Sequence, residues 1–164
     1  NTDTLPRFTD GVGVRMMLVA TIASVATANV NISYTNQNGT PGQISANSIS
    51  IGAYAGGIIS APRTTYTANL RGPFCTLAAS DTGVRSVEQV TIGASAGGYG
   101  VLVLVRPVAT ISLNELGTVT EIELWRQRPT MPKIEDGAYL NMIAGIGGSI
   151  TAAIWRGGII IVRG

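Results

Sequence analysis

Apolar residues recur at every second position across much of this chain, in short runs that Gly, Pro or Asn cuts off. Side chains alternate between the two faces of a strand, so this period predicts half-buried β-strands. Val30, Ile32 and Tyr34 alternate with Asn29, Asn31, Ser33 and Thr35 and give the cleanest case. Val14, Met16, Leu18, Ala20 and Ile22 can line one face in the same way. Further runs lie at Ser48–Ile51, Val84–Ile92, Tyr99–Arg106, Thr118–Trp125, Ala138–Ala144 and Ile150–Val162. Val101–Val105 is apolar at every position, which predicts a central strand covered on both faces. Asn38-Gly39 and Pro41-Gly42, within Asn36–Gln43, are strong turn pairs. One helical signal occurs, the capping-box spacing Ser112-Leu-Asn-Glu115, and it has room for about one turn near Ser112–Leu116. Residues 52–80 lack a period and read as a long loop or arm; residues 1–12 read as an extended N-terminal segment. The sum is a single all-β domain over residues 1–164, a β-sandwich of jelly-roll type.

A chain of 164 residues can bury enough surface to fold without disulfides or metals. Hydrophobic residues make up 45% of it and charged residues 12%, too apolar for disorder and sparse in charge for a subunit that stays soluble alone. Burial against partner subunits resolves that conflict. A membrane would resolve it too, and the apolar stretch Ala138–Val162 is the place to look. Its uncharged part, Ala138 to Trp155, just reaches the ~18 residues of a spanning helix, but its glycines and β-branched residues suit two strands and a turn better. Asp3, Arg7 and Asp10 precede the first apolar run, unlike a signal peptide. Asn1 rather than Met stands first, as in a chain numbered from after a processed or omitted segment. Ten arginines accompany the single Lys133; arginine is the less hydrated cation, and its forked donors suit interfaces. A net charge of +2 with no basic cluster among aromatics gives no sign of nucleic-acid binding.

The chain has no histidine, which removes the usual general base and the commonest metal ligand. Gly93-Ala-Ser-Ala-Gly97 has the spacing of a nucleophile elbow but leads into another strand, so it reads as a flexible hairpin loop. Asp81-Thr82-Gly83 spells the aspartic-protease tripeptide, whose chemistry needs two aspartates sharing a proton, as a dimer could provide. The apolar strand that normally precedes it is missing, and a turn entering the strand at Val84 is the simpler reading. Glu121 and Glu123 read as solvated carboxylates or as partners for interface arginines, and Glu135-Asp136-Gly137 as a turn rather than a metal loop. Cys75 is the lone cysteine and reads as a small buried hydrophobe. No cofactor or metal is therefore expected. Trp125-Arg126 and Trp155-Arg156 pair the two residue types that concentrate in interfaces. Together with Arg128 they are the candidate subunit or capsid contacts, with core-edge cation–π pairs as the alternative.

In five stretches taken in order, the chain resembles tailed-phage and prophage virion proteins found among head-decoration, or cement, proteins. The stretches are Thr9-Asp-Gly-Val-Gly-Val14, the segment from Asn31 to Gln43, Asp81-Thr-Gly-Val-Arg-Ser-Val87, Val103-Leu-Val-Arg-Pro107, and Leu124–Leu140 with its Arg-Pro-Thr-Met-Pro core. The resemblance implies a non-enzymatic β-sandwich or jelly-roll subunit, a dimer or trimer on the capsid exterior that clamps the major capsid protein of neighbouring capsomers. It brings no catalytic residues, and it implies no membrane or nucleic-acid partner. A tail or spike module for receptor or carbohydrate recognition is the alternative, with Tyr54, Tyr66 and Tyr99 as its loop-adjacent aromatics. A dimeric aspartic-protease-like enzyme built on Asp81 is the remote one.

Overall fold

A computed structural model describes residues 5–22, 28–49, 73–93, 99–111 and 134–143. All regular structure among them is strand, in antiparallel pairs: β1 (Arg15–Ile22), β2 (Ala28–Asn36), β3 (Gln43–Ile49), β4 (Val84–Ile92) and β5 (Tyr99–Val105). They form a two-stranded sheet, β1-β5, and a three-stranded sheet in the order β3-β2-β4. No helix of the described residues is long and apolar enough to cross a membrane.

Strand β2 forms as its alternation requires. Val30, Ile32 and Tyr34 are buried, while Asn31 is exposed and Ser33 and Thr35 are half-buried. The Asn36–Thr40 turn closes the β2–β3 hairpin. Asn36 N–H donates to Thr40 O, Gly39 N–H donates to Asn36 O, and Gly39 takes the left-handed conformation at φ 79°. Strand β3 starts at Gln43, earlier than the expected Ser48, because Tyr34 pairs with Gln43 immediately beyond that turn. The polar run Gln43–Asn47 carries little apolar period of its own and is drawn into the ladder by its partner. Strand β4 has the expected bounds and pairs with the other edge of β2. Its register with β2 shifts twice, at Glu88 and at Arg85, each an extra residue with no partner opposite.

Strand β1 pairs with β5 from Arg15↔Val105 to Ile22↔Tyr99. Strands β4 and β5, which flank Gly93–Gly97, belong to different sheets, so the expected hairpin pairing between them does not occur, while residues 94–98 themselves lie outside the described residues. Strand β5, expected to be central, has β1 as its one strand partner among the described residues, and Val101 is exposed on it.

Both sheets contribute to one apolar cluster. Val14, Met16 and Leu18 come from or adjoin β1, and Val30, Ile32 and Tyr34 come from β2. Cys75 and Val84 complete it, with Leu5, Phe8, Leu77, Val87, Leu102 and Leu104 packed around. Residues 73–77 tie the two sheets: Cys75 N–H donates to Met16 O at 2.8 Å, and Ser45 Oγ–H donates to Thr76 O at 2.6 Å. Cys75 is buried, as its solitary place in the sequence suggested. Near the N-terminus Val12 bridges to Gly83. There the backbones touch so closely that a Cβ on Gly83 would overlap the Gly11 carbonyl oxygen. Phe8, held at φ 55°, packs on the core while the Arg106 guanidinium sits 4.3 Å above its ring.

The expected strand at Ala138–Ala144 does not form over the described part, residues 138–143. A turn at Glu135–Ala138, with Gly137 at φ 67°, precedes it; no described strand lies alongside, and Tyr139 is fully exposed. An apolar period without a neighbouring edge is not enough to make a strand. The expected elements at Thr118–Trp125 and Ile150–Val162, the single turn near Ser112–Leu116, and most of the 52–80 arm lie outside the described residues. Residues 73–80 of that arm are irregular, as expected.

Candidate functional site

Asp81, of the Asp-Thr-Gly tripeptide, is hydrogen-bonded within the fold, whereas Ser95, Glu121 and Glu123 lie outside the described residues. The Tyr34 hydroxyl donates to Asp81 Oδ2 at 2.6 Å, and Asn36 Nδ2 donates to Asp81 Oδ1 at 2.8 Å. The same hydroxyl accepts from Ala78 N–H at 2.8 Å. Burial, and then the neighbouring carboxylate, push the Tyr34 phenol up to about 12, so it stays a neutral donor. Asn36 Oδ1 takes the Asn38 and Thr40 amides, and Gln37 Oε1 takes those of Thr82 and Gly83. Asp81 thus sits in a clasp that fixes the approach to β4 against the β2–β3 turn.

A second clasp uses the extra residue of β4. Ser33 Oγ and Thr35 Oγ1 each donate to the Glu88 carboxylate at 2.7 Å, and Gly42 N–H reaches both of its oxygens at 3.1 and 3.2 Å. These donors favour the charged form and hold Glu88 below the usual carboxylate range. The bulge aims Glu88 across β2, on the face opposite Ile32 and Tyr34. Neither clasp gathers ligands for an ion, and no group of three or more Cys, Asp or Glu residues suited to a metal occurs among the described residues.

What the described residues do offer a partner is apolar surface. Val90 and Ile92 pair with Ile32 and Val30, so they point to the core side of the sheet. Yet Val90 is 42% exposed and Ile92 59%. Ile22, at the far end of β1, and Val101 on β5 are also exposed, as is Ile44 on β3. The segment after the Glu135–Ala138 turn presents Tyr139 at 100%, Leu140 at 45% and Met142 at 73% exposure. Arg7 anchors its base by donating to Gly137 O at 3.0 Å.

The sequence-derived contacts Trp125, Arg126, Arg128, Trp155 and Arg156 all lie outside the described residues. So do Tyr54 and Tyr66, while Tyr99 opens β5. Sequence reasoning passed over Val90 and Ile92, since their alternation is continuous with the buried part of the sheet. It also passed over Tyr139–Met142, whose apolar content read as an ordinary strand. No family model, no curated protein and no solved structure matches the chain.

Proposed function

We propose that this chain is a non-enzymatic structural subunit of a phage virion, a decoration or cement protein that bridges capsomers on the capsid exterior. The observation that carries the reading is the placement of large apolar side chains on exposed strand positions, Ile22, Ile44, Val90, Ile92 and Val101, in a chain with 12% charged residues. Such a surface favours burial against partners over solitary existence. The resemblance to head-decoration proteins names the partner class: the major capsid protein, and further copies of this chain in a dimer or trimer. Two antiparallel sheets sharing one apolar cluster support a β-sandwich of jelly-roll type. The absence of histidine, and the engagement of both Asp81 oxygens by Tyr34 and Asn36, favour a structural role for the Asp-Thr-Gly turn. Many modest contacts made at once would hold such a subunit through avidity.

The test is co-pelleting with purified phage heads, combined with electron microscopy of virions carrying a label on this chain. Label on the head and saturable pelleting are expected. Alanine at Arg126, Arg128 or Arg156 is expected to weaken pelleting by about 2–5 kcal/mol if each pairs with a buried carboxylate. Label confined to the tail would replace the reading with a tail or spike binding module. Acid-pH peptide cleavage that disappears in Asp81→Asn would replace it with an enzyme.

A further inference from the structure

We propose that Asn38 is a self-modification site, where the Gly39 amide nitrogen attacks the Asn38 side chain and Arg85 promotes the reaction. The β2–β3 turn supplies each part. Asn38 is the one asparagine in the chain that a glycine follows, and both residues are exposed. Gly39 has no Cβ to shield its nitrogen, and it holds the left-handed φ of 79° that this turn requires. Arg85 is an extra residue of β4, and the bulge aims it across the turn. A Cβ on Gly39 would stand 3.2 Å from Arg85 Nη1, so the guanidinium lies against the attacking residue. A cation there favours the anion formed when the Gly39 amide loses its proton, and the oxyanion that forms on attack.

The steps balance with water alone. Hydroxide takes the Gly39 amide proton, and the nitrogen bonds to Asn38 Cγ. The Cγ–Nδ2 bond breaks, and the side-chain nitrogen takes a proton from water and leaves as ammonia, closing a cyclic succinimide. Water then opens the ring at either carbonyl. Opening at Cγ leaves aspartate; opening at the main-chain carbonyl leaves isoaspartate, with the chain running through Cβ. Either product sets a carboxylate near Arg85 and lowers the formal net charge of +2 by one. Attack requires the turn to open, because Gly39 N–H donates to Asn36 O at 3.0 Å and Asn36 Oδ1 accepts the Asn38 and Thr40 amides. Opening one turn is a local event, cheaper than global unfolding. Asn29 and Asn31 are exposed too, but they pair in the β2 ladder and precede Val30 and Ile32, whose branched side chains crowd the next nitrogen. They serve as internal controls. The inference is independent of the virion reading.

Peptide mapping by mass spectrometry tests it, on the folded full chain sampled during incubation at mildly alkaline pH. The mass gain of deamidation should accumulate at Asn38, faster as the pH rises, while Asn29 and Asn31 stay unchanged. Arg85→Gln should slow the gain by roughly two- to fivefold, the scale set by one unit charge a few ångströms away in water. Arg85→Lys keeps the charge and should recover most of the parent rate, which a merely structural role for the guanidinium would not allow. Thermal unfolding of both variants should stay close to the parent, since Arg85 is exposed. Added salt should slow the parent itself by screening the same charge, and this measurement stays decisive if a variant misfolds. No gain at Asn38, equal gains at Asn29 and Asn31, or a rate indifferent to both Arg85→Gln and salt would each overturn the proposal.

Discussion

The two ends of β4 have the same kind of sequence and opposite surroundings. At its start Val84 is wholly buried, with the Asp81 clasp and the Val12 bridge packed close by; at its finish Ile92 is 59% exposed. Alternation commits an apolar residue to a face of the sheet, but only the neighbouring elements decide whether that face is covered. The closed end is where polar side chains have been fully partnered: no buried side-chain nitrogen or oxygen among the described residues lacks a hydrogen bond. The open end leaves Val90 and Ile92 exposed.

Substitution across one ladder should separate the two ends most sharply. Ile32→Ala, at a fully buried position, is expected to cost about 2–5 kcal/mol by leaving a cavity. Ile92→Ala, on the same face, should cost under about 1 kcal/mol, because much of its side chain is already in water. Chemical denaturation of both variants checks this, and comparable losses would erase the distinction. A smaller effect is expected from Tyr34→Phe, which keeps the ring and removes the hydroxyl that joins Asp81 to the Ala78 amide. Leaving those partners unsatisfied should cost about 1–3 kcal/mol. A loss near zero would mean that water replaces the hydroxyl freely.

The smallest effect concerns Glu88. Its carboxyl is held below its ordinary value by Ser33, Thr35 and Gly42, so its stabilising contribution is complete above the unfolded value of about 4.3. That contribution fades as the pH falls through the lower folded value. Glu88→Gln should therefore lower stability modestly at neutral pH, where the contribution is complete, and flatten the decline below about pH 4 as the two curves converge. Parallel melting curves for parent and variant across that window, with unchanged slopes, would rule out the clasp as an acid-sensitive element.

Much of the strand content was legible in the residues because β2, β4 and β5 carry their own period or apolar density. Strand β3 was legible only in its last residues, since Gln43, Ser45 and Asn47 are strand by virtue of pairing with Tyr34, Ile32 and Val30. The Gly93–Gly97 stretch misled for a related reason: turn residues mark a change of direction but not whether the next strand stays in the same sheet. The Asp81 clasp had a trace in the sequence, the Asp-Thr-Gly turn, but its partners Tyr34 and Asn36 lie 47 and 45 positions away. No local pattern links residues at that range. The exposed rim had none, because an uncovered valine and a covered one are the same letter.

The pairing of Arg15 with Val105 has a consequence for how the chain reaches this state. During synthesis the ribosome delivers β1 about ninety residues before its partner, and closing a loop that long is a slow, entropically costly step. The β2–β3 hairpin can form as soon as Ile49 emerges, so it is the natural early nucleus. Meanwhile Met16, Met17, Leu18 and Val19 wait without an edge to join. The window in which this protein is most prone to aggregate is therefore fixed by its strand order, and slowing translation after β3 should widen it.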